Sequence, residues 1–157
     1  MFGSAPGGNA LRVIAVARLS TASPQDVWRV LADPWALAAW VVGAAAVDGA
    51  DARWPAVGAR LRYRVGAWPA LFPASSEVTA ATEAAELALR GDLGVGGAVA
   101  LVLELRAHPD GSEIVLREDV VAGPGRLVPR AARAAVIAAR NRETLRRLAL
   151  LAERPAA

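Results

Sequence analysis

The chain has 157 residues, 55% hydrophobic and 21% charged, the size and composition of one globular domain and not of a disordered segment. It has no cysteine and one histidine, His108, which excludes disulfide frameworks, thiolate or multi-histidine metal sites and cysteine nucleophiles. The net charge of +3 rests entirely on arginine, since the chain has no lysine, and so small a surplus does not mark a dedicated nucleic-acid binder.

Residues 1–10 are rich in glycine and read as a loose tail before a single domain spanning 11–154. The pattern predicts a strand over 11–20. A helix should follow over 24–32, since Ser23 can cap it, Pro24 suits its first position and Asp26 meets the positive end of the helix dipole. Asp33-Pro34 repeats that signal and opens a second short helix ending at Trp40 or Val41. Val47 falls in a short strand ahead of a DGAD turn over 48–51.

Leu61, Tyr63 and Val65 alternate with Arg60, Arg62 and Arg64, the cleanest half-buried strand in the chain. Further strands are expected over 77–82, 85–90, 99–106 and 113–121, separated by turn signals in the manner of an antiparallel meander. After Gly123-Pro124-Gly125 a long helix is expected over 127–152, with Pro129 in its first turn. At 100° per residue Leu127, Ala131, Ala134, Ala138, Asn141, Leu145 and Ala149 share a packing face. Arg126, Arg133, Arg140, Arg147 and Arg154 recur every seven residues on another face, read as a charged, solvated side. The fold class is α+β: a strand, two short helices, an antiparallel meander and one long C-terminal helix.

Three stretches carry a family likeness. SPQDVWRVLADPWALAAWVVG resembles the entry segment of the SRPBCC superfamily, which includes START-like lipid carriers and polyketide cyclase/dehydrase relatives. RWPAVGARLRYRVGAWP and NRETLRRLALLAE are similar to bacterial members of that group, and the likeness runs from about Arg12 to Glu153. It implies a helix-grip fold, a curved antiparallel sheet wrapped around the long C-terminal helix with a hydrophobic cavity between them. The residues alone leave two outcomes open, because an alanine-rich helix face opposite Leu61, Tyr63, Leu87, Leu89, Leu101 and Leu103 either leaves a cavity or sits closer and closes a tight core. The resemblance favours the cavity.

Glu118 is the most interesting polar residue. Alternation along its strand places it on the face of Ile114, Leu116 and Val120, where a carboxylate would anchor a ligand or act as an acid/base, unless it lies at the rim paired with an arginine. Tyr63 and Asn141 interrupt apolar faces and are candidates for orienting a polar group. Trp28, Trp35 and Trp40 could wall one end of a pocket, while Trp54 and Trp68, in the echoed WPAV and WPAL, shape loops. His108 reads as a loop histidine without a nucleophile partner. The glycine cluster 94–97 matches no phosphate-binding motif, and Asp48 with Asp51 is a poor metal site.

The preferred reading is a protein that binds a small hydrophobic or amphipathic molecule, lipid-like or polyketide-like, on Trp40, Leu61, Tyr63, Leu89, Leu101, Leu103, Glu118, Ala134, Ala138 and Asn141. Glu118 would be the catalytic candidate if the chain is instead a cyclase or dehydrase. A third reading is an interaction module using the arginine face of the long helix, which leaves open a peripheral contact with a membrane. No cofactor, metal or nucleic acid is expected, the state is a monomer or homodimer, and the absence of a targeting signal or apolar span makes a cytoplasmic location the default.

Overall fold

A computed structural model describes residues 14–155. The expected tail over 1–10 and the first residues of the first predicted strand lie outside the described residues. Seven strands form one antiparallel sheet in the order β1-β7-β6-β5-β4-β3-β2. They are β1 (Ile14–Ser20), β2 (Ala44–Ala50), β3 (Arg60–Ala67), β4 (Ala70–Thr82), β5 (Glu86–Asp92), β6 (Ala98–His108) and β7 (Gly111–Ala122). The helices are α1 (Pro24–Leu31), α2 (Leu37–Trp40) and α3 (Arg130–Ala152), with short 3-10 turns at Pro34–Ala36, Gly94–Gly96 and Pro124–Leu127.

Local chemistry explains the entry segment. Ser23 and Asp26 close a capping box around the start of α1: the Asp26 N–H donates to Ser23 Oγ (3.1 Å), and the Ser23 N–H donates to the Asp26 carboxylate (3.4 Å). The Asp33 side chain accepts from the Trp35 N–H (3.0 Å), and Pro34 opens the turn that leads into α2. Val27, Leu31, Leu37 and Trp40 are the buried residues of the two helices, so the whole segment lies on the core.

The sheet has a charged convex face and an apolar concave one. Arg64 forks onto Asp48 (2.7 and 3.0 Å), Arg60 reaches Glu77 (2.8 Å) and Arg117 reaches Glu104 (2.7 Å). Leu61, Val78, Leu87, Leu103 and Leu116 face the other way and form one buried core with Val27 and Leu31 of α1 and Leu145 and Leu148 of α3.

Several expectations change. The DGAD segment is no turn before a separate loop, because Asp48–Ala50 complete β2. Two bulges let them pair with β3, and at Gly49 an added Cβ would meet the Arg62 guanidinium at 2.7 Å. β4 begins at Ala70, well before residue 77, so Pro73, Ser75 and Ser76 are strand residues. The long helix begins at Arg130 with Pro129 as its N-cap, which leaves Leu127 outside it and exposed, as Ala131 is. His108 ends a strand and does not sit in a loop; its Nδ1 accepts from the Asp110 N–H (3.2 Å). The echoed WPAV and WPAL segments both carry cis Trp–Pro bonds, at Trp54-Pro55 and Trp68-Pro69. The Trp54 indole donates to the Leu31 carbonyl (3.1 Å), tying its loop to the end of α1, whereas Trp68 is exposed.

Candidate functional site

Strand register divides the concave face into cross-strand rows. One row is Leu87, Leu103 and Leu116, all fully buried. Two residues further along the strands the row becomes Leu89, Leu101 and Glu118, and beyond it Gly91 lies opposite Val99. Over the first row Val27 and Leu31 of α1 join Leu145 and Leu148 of α3 in one buried core, and the space closes. At the second row α3 supplies Asn141 and Thr144, shorter and polar, and a cavity of about 190 Å³ opens.

Its walls are mostly apolar. Leu37, Trp40 and Val41 come from α2 and its end, Val65 from β3, and Leu93 and Val99 from the end of β5 and the start of β6. Glycine at 91 keeps the floor low, since a Cβ there would meet Val99 Cγ2 at 2.8 Å. Thr144 Oγ1 accepts from the Val42 N–H (3.2 Å), which holds the wall behind α2 against the helix. Among the described residues, the polar side chains on the wall are those of Tyr63, Ser76, Glu118, Arg140, Asn141 and Thr144.

Glu118, 2% exposed, is fully engaged. Arg140 Nη2 donates to its Oε1 and Asn141 Nδ2 donates to its Oε2 (2.8 Å). Arg140 also donates to Asn141 Oδ1 from Nε (3.3 Å), which closes a triangle of three side chains. The Arg140 side chain is 37% exposed, so it stands where the cavity meets solvent. Two turns earlier on α3 the same pattern recurs, with Arg133 bonded to Asp119 (2.9 Å) and to the Val128 carbonyl (3.0 Å). Burial acts to raise the Asp119 pKa, but the Arg133 bond and the Val120 N–H outweigh it and hold the carboxyl below its ordinary value.

Tyr63 and Ser76 share one hydrogen bond, hydroxyl to hydroxyl, at 3.1 Å. Burial pushes the Tyr63 phenol above its ordinary pKa and the Ser76 bond only partly opposes that, so the phenol keeps its proton at neutral pH. Trp40 is 2% exposed, and its Nε1–H has no acceptor among the described residues.

Of the residues singled out in the sequence, Trp40, Tyr63, Leu89, Leu101, Glu118 and Asn141 come together on the cavity wall. Leu61 and Leu103 lie in the closed core, Ala138 packs against that core and Ala134 is half-buried, all four off the wall. Trp28 and Trp35 are not on it either, and Trp35 is exposed. The arginine face is not a uniformly solvated stripe. Arg133 and Arg140 turn onto β7, and Arg147 bonds Glu143 (2.8 Å). Sequence reasoning missed Ser76, Arg140 and Thr144. Ser76 was legible in the alternation Ala74, Ser76, Val78, hidden only by starting β4 too late in the chain. Among the described residues no group of three or more His, Asp or Glu is placed to hold a metal ion, and no helix is long and apolar enough to cross a membrane.

A seven-stranded antiparallel sheet gripping a long C-terminal helix over an apolar hollow defines the helix-grip class. Residues 12–153 match the family model described as polyketide cyclase / dehydrase and lipid transport, and the chain belongs to that family. No protein of curated function matches its sequence. Among solved structures it is similar to protein CV1439 from Chromobacterium violaceum (18% identity, 91% of this chain and 99% of that one, TM-score 0.70). It is also similar to the crystal structure of Ara h 8.0201 (10% identity, 90% and 97% covered, TM-score 0.70). A third likeness is to DynU16, a protein from the dynemicin biosynthetic locus (22% identity, TM-score 0.62), where 88% of this chain corresponds to 46% of that one. At these identities the likeness concerns the fold.

Proposed function

We propose that this protein binds a small hydrophobic or amphipathic molecule in the cavity between the sheet and α3, with Trp40, Tyr63, Leu89, Leu101, Glu118 and Asn141 as contacts. The observation that carries this reading is the step from a filled row to a hollow one on the same sheet face, with the polar groups of the hollow gathered on its wall. Affinity would come from burying apolar surface, at ~25 cal/mol per Å², and orientation from the polar groups. A cavity of about 190 Å³ is close in scale to the engineered cavity of roughly 150 Å³ that accepts benzene. A single ring or one short chain fits, with anything longer leaving past Arg140.

Catalysis of the cyclase or dehydrase type is the second reading, favoured by the family description and by the nearness of Tyr63 to Glu118, whose charge is felt at the phenol. Against it, both oxygens of Glu118 already accept hydrogen bonds, so the residue serves the triangle with Arg140 and Asn141 before any substrate. Native mass spectrometry of freshly purified protein, followed by denaturation and identification of what is released, tests the binding reading. A stoichiometric apolar small molecule is the expected result. An empty protein that also fails to take up small aromatic probes at millimolar concentration would overturn it.

A further inference from the structure

The hydrogen-bond inventory of the cavity is unbalanced in one direction. Glu118 and Asn141 bond each other and Arg140. Thr144 Oγ1 accepts from the Val42 N–H, which leaves its own hydroxyl proton without an acceptor among the described residues. The Trp40 indole N–H has no partner among the described residues either, but it is sealed from the cavity as it is from water and serves no ligand there. Tyr63 and Ser76, both buried, have two hydroxyl protons between them and one shared bond. Whichever oxygen donates in that bond, the other hydroxyl keeps a proton that no described residue accepts. The raised pKa of Tyr63 keeps the phenol neutral, so this spare proton is present throughout the neutral range.

Charge is balanced at the same time, since the Glu118 carboxylate is paired with the Arg140 guanidinium. A second carboxylate would meet Glu118 at close range, and an ammonium group would find that carboxylate already occupied and hydroxyl donors beside it. A buried donor left unmet costs more than an ordinary hydrogen bond contributes, so the wall discriminates by what the ligand can accept.

We propose that the cavity selects neutral molecules bearing an acceptor-only oxygen, a ketone, ester or quinone-type carbonyl, whose oxygen takes the spare Tyr63/Ser76 hydroxyl proton or that of Thr144. The inference rests on the binding reading above and adds the chemical class of ligand. A pure hydrocarbon of the same shape leaves these donors unmet and is rejected relative to the carbonyl compound.

The test compares acetophenone with α-methylstyrene, in which a CH2 replaces the carbonyl oxygen at nearly constant shape. Both are titrated into the ¹⁵N-labelled full chain, following the five tryptophan indole N–H signals, with that of Trp40 assigned by its loss in Trp40→Phe. The expected result is roughly tenfold tighter binding of acetophenone, the worth of one or two hydrogen bonds. The preference should fall severalfold in the double variant Tyr63→Phe/Ser76→Ala or in Thr144→Ala, and a preference undiminished in both would overturn the assignment of the donors. The double variant is needed because either hydroxyl of that pair alone still donates, and Thr144→Ala keeps the test available if it does not fold. Equal affinity of the two probes in the wild-type chain, with cavity signals moving alike, would overturn the acceptor preference and leave the binding reading standing. Failure of both probes to move any cavity signal would overturn the binding reading and this inference with it.

Discussion

Two adjacent rows of one sheet face, two residues apart along each strand, do different work. Leu87, Leu103 and Leu116 share a closed core with Val27 and Leu31 of α1 and Leu145 and Leu148 of α3, whereas Leu89, Leu101 and Glu118 share a hollow with Asn141 and Thr144. The backbone is the same on both sides of that boundary, since sheet pairing from β5 through β7 continues without a break across it. The difference lies in the volume and polarity of the side chains that the helices bring over each row, which on α3 change within two turns. A cavity in this fold is therefore stabilised by the packed row beside it and by the polar triangle that satisfies its own buried groups.

The sharpest way to break the comparison is to truncate one leucine in each row. Leu103→Ala should cost about 2–5 kcal/mol in urea denaturation, because a fully buried side chain with fixed neighbours leaves a void that cannot collapse. Leu101→Ala, already half-facing a hollow, should cost clearly less. Equal losses would mean that the two rows are packed alike. Next in size is Arg140→Met, expected to cost about 3 kcal/mol, since it strands the buried Glu118 carboxylate without its counter-charge. Glu118→Gln should cost less, about 1–2 kcal/mol, because the freed guanidinium is partly exposed and can turn to water. The reverse order would show that Arg140, and not Glu118, is the member that burial penalises.

The architecture was largely legible in the sequence because it depends on periodicity and capping. Leu61 and Tyr63 alternating with arginines, the Ser23/Asp26 box and the Gly123-Pro124-Gly125 break all act locally, and each appears where the pattern places it. Asp48–Ala50 were misread because Asp and Gly mark turns in isolation, while here tertiary pairing with β3 and two bulges override that preference. The site was harder to read, because it depends on how far along the sheet α3 begins to fill the space. Leu61 and Leu89 look alike in the chain, yet one is core and the other cavity wall. Arg133 and Arg140 read as solvated because their partners, Asp119 and Glu118, lie on another element. Only register across β7 brings them together.

A smaller perturbation sharpens the boundary from the open side. Val99→Phe should place a ring in the cavity, leave stability within about 1.5 kcal/mol because there is space to receive it, and abolish uptake of acetophenone in the same titration. A loss of several kcal/mol would mean that the hollow is not available to a side chain.

The smallest expected effect concerns the outer side of α3, where the Arg–carboxylate chemistry of the cavity is repeated in water. Glu143 accepts from Arg146 Nε and Nη2 (2.7 and 2.9 Å) and from Arg147 Nε (2.8 Å), and these bonds, Arg146 first, lower its pKa to about 2. Its folded pKa lies below the unfolded value, so its contribution to stability is present above about pH 4.5 and is lost as the pH falls toward 2. Because these groups are exposed, roughly 1 M salt, with a Debye length of about 3 Å, should move the Glu143 titration measured by carbon NMR back toward the ordinary carboxylate range. The same salt should leave the Asn141 side-chain amide signal unmoved, because Glu118 and Asn141 are bonded out of reach of solvent. If salt shifted that amide signal as it shifts Glu143, the cavity triangle would be as open to water as the helix surface, and the contrast between the two sides of α3 would fail.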